Sequence, residues 1–478
     1  MSRLAAIAQS PPAWTVARDC IITGITADSR AVAPGMVFAA LPGTRTDGRR
    51  FIADAIARGA VAILAPPDTI WPDFESSCPL LADANPRRRL AEIAVALTGP
   101  MPRSIAAITG TNGKTSTVDF LRQIIEATGT PAASLGTLGL VAPGFPAGES
   151  LTTPDPVTIA ATLARLKAAG IDHVALEASS HGLDQYRLDG LRLAAAAFTN
   201  LTRDHLDYHG NLARYRDAKL RLFTELLPHD APALAMADLD AVTLAALRAH
   251  RPDLATVGDN GSAINLRRAT PVPAGQVLII EAAGRRHELL LPLPGRFQAD
   301  NALLAAGLAL ALGFEAALDQ LATLAPVRGR LERVGTLANG AAAYVDYAHT
   351  PDALERLLTA LRPHATGRLI LVFGAGGDRD RGKRPLMGAV AARCADLMIV
   401  TDDNPRSEDP AAIRAAILAT CRDAHEIGDR RKAIETGLAM LKPGDVLAVA
   451  GKGHEQGQTI GTTILPFDDA AVIREFLA

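Results

Sequence analysis

The stretch Ile105-Ala106-Ala107-Ile108-Thr109-Gly110-Thr111-Asn112-Gly113-Lys114-Thr115-Ser116-Thr117 runs from an apolar segment into a glycine-containing loop and then into a helical pattern. From Thr115 to about Thr128 the apolar residues Val118, Leu121, Ile124 and Ile125 share one face, and Gly129 is a stop signal. A strand, a glycine loop carrying Lys-Thr and a helix together make a phosphate cradle. Loop N–H groups and the helix N-terminus face the anion, Lys114 adds a point charge, and the Thr115 hydroxyl can ligate Mg²⁺. The spacing departs from G-x-x-x-x-G-K-[ST], which needs glycine where Ile108 stands. An ordinary glycine turn also fits the bare hexapeptide, but its place between strand and helix favours phosphate. The loop alone does not separate kinase, motor, switch and ligase.

Around this loop, 478 residues suggest about three domains of ~150 each. A net charge of −2 and an aromatic content of 4% give no drive toward nucleic acid. Cys20, Cys78, Cys394 and Cys421 are scattered, which fits a reducing compartment without structural zinc. The N-terminal apolar run is too short for a signal peptide, and Leu303–Phe314 is too short to span a bilayer. A cytoplasmic protein, without membrane or nucleic-acid partners, is expected.

The fold expected is α/β in three domains. A small α/β domain covers 1–102, with strands at Ile21–Thr26, Val37–Leu41 and Val61–Ala65, and ends at the linker Gly99-Pro100-Met101-Pro102. A central P-loop domain with a parallel sheet covers 103–331. A C-terminal doubly wound, Rossmann-like domain covers 332–478, where strands and helices alternate from Leu369 to Ala450.

Ligands of open α/β sheets sit beyond the carboxyl ends of strands. In the central domain Glu177, ending Asp172–Ala178, and His205, in the loop after Ala194–Phe198, occupy such positions. A carboxylate and an imidazole there can hold metal beside a nucleotide, or can simply be surface loop residues. From Asn211 to Leu227 an apolar stripe of Leu212, Tyr215, Phe223 and Leu226 includes Lys219. A lysine on an apolar face either snorkels or sits in a pocket that favours the neutral amine. A neutral amine can take up CO₂ as a carbamate, an anionic metal ligand. In the last domain three strand ends carry Gly374–Arg379, Asp402–Arg406 and Gly451–Glu455. Arg379 and Arg406 suit a carboxylate, and Asp403 and Glu455 an ammonium, so the crevice suits a zwitterion.

Seven runs together resemble the Mur ligases, the ATP-dependent amide-forming enzymes of bacterial peptidoglycan synthesis. They are G-T-N-G-K-T-S (Gly110–Ser116), E-A-S-S-H-G-L (Glu177–Leu183), Y-R-D-A-K (Tyr215–Lys219), D-Y-A-H-T-P-D (Asp346–Asp352), G-G-D-R-D (Gly376–Asp380), D-N-P-R (Asp403–Arg406) and G-K-G-H-E (Gly451–Glu455). The resemblance covers nearly the whole chain, and D-N-P-R is the family's signature for diaminopimelate rather than lysine. It implies a ligase that adds meso-diaminopimelate to UDP-N-acetylmuramoyl-L-alanyl-D-glutamate through an acyl phosphate, with ATP as co-substrate and Mg²⁺ as cofactor. Ser29, Thr44, Arg45 and Thr46 would meet the uridine nucleotide, and Thr152, Thr153, Ser179, Gln185 and Arg187 the rest of that substrate. Gly110, Thr111, Asn112, Gly113, Lys114, Thr115 and Ser116 would bind ATP, completed by Asn301, Arg330 and Asp346. Thr115, Glu177, His205 and a carbamylated Lys219 would lie at the metal. Lys114, Glu177, His205 and Lys219 would be the catalytic set. Arg379, Asp403, Asn404, Pro405, Arg406, Gly451 and Glu455 would hold diaminopimelate. Ala375, Gln298 and Met236 depart from the family pattern without removing a catalytic group. A monomer is expected. Alternatives are a lysine-adding paralogue, a folylpolyglutamate synthase-like enzyme, a P-loop motor or ATP switch, and a non-catalytic scaffold.

Overall fold

A computed structural model describes residues 2–3, 21–43, 46–71, 78–146, 148 and 151–478. The chain divides into two compact units, Met1–Thr256 with Gly307–Glu315, and Val257–Ala306 with Ala316–Ala478.

Besides a short antiparallel pair, Ser2–Arg3 with Ile21–Ile22, the first unit is built on two sheets. In the smaller, strands Gly24–Thr26, Met36–Ala39, Ala62–Ala65 and Leu80–Ala82 lie in that order, all parallel. Its apolar runs are covered by helix Pro86–Thr98, where Leu90, Ile93 and Ala94 pack on Ile25, Val37 and Leu64. That core continues into Ala160 of helix Pro156–Ala168, so the small sheet is seated on the larger one through a shared helix pair.

In the larger sheet the central strand Ser104–Thr109 lies between His173–Glu177 and Ala195–Phe198, parallel to both. Ala132–Gly136 and Ala233–Met236 extend it on either side, also in parallel. Every residue of Ser104–Thr109 is buried, as expected of a strand covered on both faces. The register sets Glu177 beside Ile108 and Phe198 beside Thr109, so three strands release their carboxyl-end loops side by side.

The helix read over 211–227 is two structures. An α-helix runs Leu212–Arg221, and a π-helical turn follows over Leu222–Leu226, closed by Leu227 N–H on Leu222 O at 3.0 Å. Tyr215, Lys219 and Phe223 are buried, whereas Leu212, assigned to the same stripe, is 47% exposed.

In the second unit the order is Glu332–Thr336, Ala342–Asp346, Val446–Ala450, Leu369–Phe373, Leu397–Val400 and His425–Glu426, parallel except for the first strand. Leu354, Leu357, Leu358 and Leu361 of helix Pro351–Leu361 recur at helical spacing and pack on one face with Met387 and Ile417. Ala433, Ile434, Leu438 and Ile473 cover the other, which makes the sheet doubly wound. The same unit holds an antiparallel ribbon, Ile264–Val272, Gly275–Ala282 and Arg285–Leu291, which the sequence reading did not anticipate. Its tight turn places both Ala283 and Gly284 at positive φ, 48° and 72°, the geometry whose twist matches two paired strands.

Candidate active site

The loop Gly110–Gly113 joins its strand to helix Lys114–Ala127 through two residues at positive φ, Gly110 at 140° and Gly113 at 85°. At Gly110 a Cβ would lie 1.8 Å from Thr199 Oγ1, so only glycine fits. The loop is clasped by the segment after the neighbouring strand. Thr199 Oγ1 donates to Asn112 O at 2.6 Å, Asn112 N–H to Asn200 Oδ1 at 3.0 Å, and Thr111 N–H to Asn200 O at 2.8 Å. Lys114 Nζ reaches back to Gly110 O at 2.9 Å and Thr111 O at 2.8 Å, arched over the loop it serves. Thr115 and Ser116 are buried in the first helical turn, and Asn112 is exposed.

Lys219 is fully buried, 1% exposed, and donates to Gly110 O at 2.6 Å. Its Nζ lies 4.5 Å from the centre of the Tyr215 ring, whose hydroxyl donates to Thr111 Oγ1 at 3.2 Å. Burial, reinforced by the Lys114 cation, drives the Lys219 amine well below the usual lysine range. The snorkelling reading fails, because this amine reaches the phosphate loop and not solvent.

Glu177 is 2% exposed; it accepts from Thr137 N–H at 2.7 Å through Oε1 and from Thr137 Oγ1 at 3.2 Å through Oε2. A Cβ on Gly136 would lie 2.2 Å from Glu177 Oε1, so the strand end is shaped around this carboxylate. His205 is exposed, at φ 50°, and its contacts are with Asp204, His181 and Tyr215. No hydrogen bond among the described residues joins Lys219, Glu177 and His205 to one another, and no three His, Cys, Asp or Glu side chains form a metal-holding group. The donors do fit Mg²⁺ chemically. The Thr115 hydroxyl and the Glu177 carboxylate are hard oxygen ligands, whereas Lys219 fits only as a carbamate, whose remaining N–H can keep the bond to Gly110 O.

The positions expected to hold the nucleotide substrate form a chain beside Glu177. Thr152 Oγ1 lies 3.0 Å from Thr137 Oγ1, and Thr153 Oγ1 donates to Glu177 O at 2.7 Å while accepting from Ser179 N–H at 3.0 Å. Arg187 donates to Thr153 O and, at 2.8 Å, to Gln185 Oε1. Burial lowers the Arg187 guanidinium from its ordinary value, although it stays cationic near neutrality. Ser29 is buried at the start of a short 3₁₀ turn capped by Asp28, and Thr46 is exposed. Thr44 and Arg45 lie outside the described residues.

In the second unit Asn301 Nδ2 donates to Gln298 Oε1 at 3.2 Å, and Gln298 Nε2 donates to Arg330 O at 2.9 Å. Gln298, noted as a departure, is therefore the buried link between two of the expected nucleotide residues. The Arg330 guanidinium lies 4.7 Å from the centre of the Tyr347 ring. Asp346 accepts from Leu331 N–H at 2.6 Å and Ala348 N–H at 2.8 Å, which fixes the turn around it; burial pushes its carboxyl up.

The three strand-end loops expected to form a zwitterion crevice touch one another. Asp403, Asn404 and Pro405 are buried, and a Cβ on Gly451 would lie 2.4 Å from Asp403 Oδ2. Asn404 Nδ2 donates to Glu455 Oε2 at 2.9 Å. Arg406, at φ 52°, donates from Nη1 to Gly377 O at 2.7 Å, and its backbone is held by Thr459 O and Gly461 N–H. Burial raises the Glu455 carboxyl, opposed by its bond to Asn404. Arg379 is exposed on the loop after Leu369–Phe373. Sequence reasoning gave no role to Thr137, to Lys452 or to the pairing of Tyr347 with Arg330. Nothing local in the sequence marks Thr137, whereas Lys452 lies inside the G-K-G-H-E run and Tyr347 inside the D-Y-A-H-T-P-D run.

Three sequence profiles match the chain: the Mur ligase family catalytic domain over residues 21–95, the Mur ligase middle domain over 108–309, and the Mur ligase glutamate ligase domain over 329–453. A "UDP-N-acetylmuramoyl-L-alanyl-D-glutamate--2,6-diaminopimelate ligase" from Caulobacter vibrioides is 54% identical over 465 residues, 95% of each chain. The protein of that name from Brucella melitensis is 52% identical over 466 residues, 96% of this chain and 94% of its own. A solved structure under the same name superposes with a TM-score of 0.70 at 32% identity, covering 95% of this chain and 94% of the other. With similarity at this level running from end to end, the chain belongs to the Mur ligase family of ATP-dependent ligases.

Proposed function

We propose that this ligase joins meso-diaminopimelate to UDP-N-acetylmuramoyl-L-alanyl-D-glutamate, using ATP. The observation that carries the reading is the crevice in which Asp403 and Arg406, from the loop after Leu397–Val400, meet Glu455, from the loop after Val446–Ala450, with Gly377 of the loop after the intervening strand accepting from Arg406. A guanidinium and two carboxylates in one crevice suit a substrate bearing both carboxylate and ammonium groups. We assign the domains as 1–102, 103–331 and 332–478, the first for the uridine nucleotide, the second for ATP and the third for the amino acid.

A carboxylate is a poor electrophile, so the D-glutamyl γ-carboxylate first takes the γ-phosphoryl group of ATP, expelling ADP. The amine of diaminopimelate then attacks the acyl phosphate, the C–N bond forms, a proton is lost, and phosphate leaves. Lys114 and the N–H groups that open helix Lys114–Ala127 stabilise charge on the transferring phosphoryl group, the Thr111 and Asn112 N–H groups being taken by Asn200, and catalysis is mainly positioning and electrostatics. Mg²⁺, when bound, neutralises phosphate charge; Thr115, Glu177, His205 and Lys219 as a carbamate are the residues that would hold it. Thr152, Thr153, Ser179, Gln185 and Arg187 orient the dipeptide end of the nucleotide substrate. We place the enzyme in the cytoplasm as a monomer; among the described residues no helix is long and apolar enough to cross a membrane.

Lysine lacks the distal carboxylate that Arg406 would receive. Arg406 keeps its bond to Gly377 O, so the loss lies near the low end for a charged pair, ~2 kcal/mol or roughly 30-fold. The test is phosphate release from ATP with the UDP-dipeptide present and either meso-diaminopimelate or L-lysine added. Release that needs both the dipeptide and diaminopimelate, with lysine at least about tenfold poorer in kcat/KM, is expected. Efficient turnover of lysine would reassign the pocket, and release that needs neither substrate would favour an ATP switch.

A further inference from the structure

Lys452, in the loop after Val446–Ala450, has no exposed surface. Its Nζ donates to Asn404 Oδ1 at 2.8 Å and to Gly457 O at 2.7 Å, and lies 3.8 Å from Glu455 Oε2. Thr459 N–H also donates to Asn404 Oδ1, at 2.9 Å. An amide oxygen has two lone pairs, and both are now filled. The orientation of Asn404 is therefore decided, because a flipped amide would turn its NH₂ toward an ammonium and a backbone N–H. Only one direction remains for Nδ2, onto Glu455 Oε2 at 2.9 Å.

The neighbouring cation cannot do this work. Arg430 is itself fully buried, but its guanidinium is engaged by both oxygens of Asp469 at 2.7 Å and by Ala450 O at 3.0 Å. Asp403 and Glu455 bring like charge into one crevice, and Lys452, in the Glu455 loop, is the cation that reaches across to the Asp403 loop through Asn404 Oδ1. Burying an ammonium is costly, and for packing alone an apolar chain of similar length would serve as well.

We propose that Lys452 is a positioning residue of the amino-acid pocket, holding the Asn404 amide so that its N–H fixes the Glu455 carboxylate for the substrate ammonium. The proposal rests on the reading of this crevice as the diaminopimelate pocket. It also changes the role of Asn404, which acts through Glu455, since its own carbonyl oxygen has no lone pair left for a ligand.

The test is steady-state phosphate release by wild type, Lys452→Met, Glu455→Gln and the double variant, with KM read for each of the three substrates. Lys452→Met should raise KM for diaminopimelate roughly tenfold or more, the scale of a lost bond to a charged group. KM for ATP and for the UDP-dipeptide should stay within about twofold, and the same change made in Glu455→Gln should add less than about twofold. An unchanged KM for diaminopimelate, or an equal rise in the Glu455→Gln background, overturns the proposal. Should Lys452→Met fail to fold, Asn404→Asp carries the same criteria, because it keeps an acceptor for Lys452 and removes the N–H facing Glu455. Wild type that turns over without diaminopimelate would instead sink the pocket reading itself, a result distinct from a normal Lys452→Met enzyme.

Discussion

Lys219 shows how much one residue's surroundings decide. An ammonium with 1% exposure and one carbonyl partner is poorly compensated, and burial together with Lys114 pushes it toward the neutral amine. If its role were packing, Lys219→Met would preserve the volume, remove the desolvation penalty and leave turnover intact. If it carries the proposed carbamate at the phosphates, methionine is no substitute for it. Lys219→Met should therefore keep or raise the melting temperature while lowering kcat about a hundredfold or more, the scale of losing one preorganised charge-stabilising group. Thermal unfolding and phosphate release on the same preparation check both halves, and a variant with near wild-type kcat would return Lys219 to the core. The sequence exposed this residue because a lysine interrupts an apolar stripe between Tyr215 and Phe223. Lys452 lies inside the G-K-G-H-E run, but nothing in that run shows that its side chain is buried. Its burial comes from contacts with Asn404 and Gly457 that no local pattern encodes.

Among the elements, the phosphate loop depends on a partner that is not its neighbour in sequence. The Thr199 hydroxyl donates to Asn112 O at 2.6 Å and lies 3.3 Å from Thr109 O, tying the loop to the end of the adjacent strand. Thr199→Val keeps the shape and removes the donor, while Asn200 Nδ2 still serves Asn112 O at 3.1 Å. The cost should be that of one net hydrogen bond, ~1 kcal/mol, seen as a roughly fivefold rise in KM for ATP with KM for diaminopimelate unchanged. Equal KM values for ATP in the two proteins would show that the loop is rigid without this clasp. Elements with unambiguous patterns were legible. Leu369–Phe373 and Val446–Ala450 are continuous apolar runs ended by glycine, and they form where expected. The ribbon 264–291 was not legible, because its outer strand begins Arg285-Arg286-His287-Glu288 and lies largely exposed, with no apolar alternation strong enough to mark it. The helix expected from Asn211 to Leu227 changes hydrogen-bond pattern after Arg221, a local widening of a kind that periodicity does not report.

Across the whole molecule, the buried and half-buried histidines set the response to acid. His173, His181, His209, His349, His364 and His454 all lie below the ordinary imidazole value, first because burial disfavours the cation, and His454 falls to about 4. The unfolded chain therefore binds protons near pH 6.5 that the folded chain refuses. For His454 the destabilisation is absent above pH 6.5, grows as pH falls, and is complete below about 4. Carboxyls raised by burial, Glu126, Asp189, Asp346, Asp402 and Glu455 among them, take up protons more readily in the folded chain and so act in the opposite sense. The urea midpoint should thus begin to fall between pH 6.5 and 5, before ordinary carboxylates titrate, by up to ~1.4 kcal/mol per pH unit for each proton taken up. His454→Gln should flatten part of that fall without shifting the midpoint's response below pH 4. Two compact units need not unfold together, so the comparison belongs to urea transitions followed by circular dichroism at each pH, analysed for one step or two. A midpoint that stays level from pH 7 to 5 would mean that the buried imidazoles accept protons as readily in the folded chain as in the unfolded one.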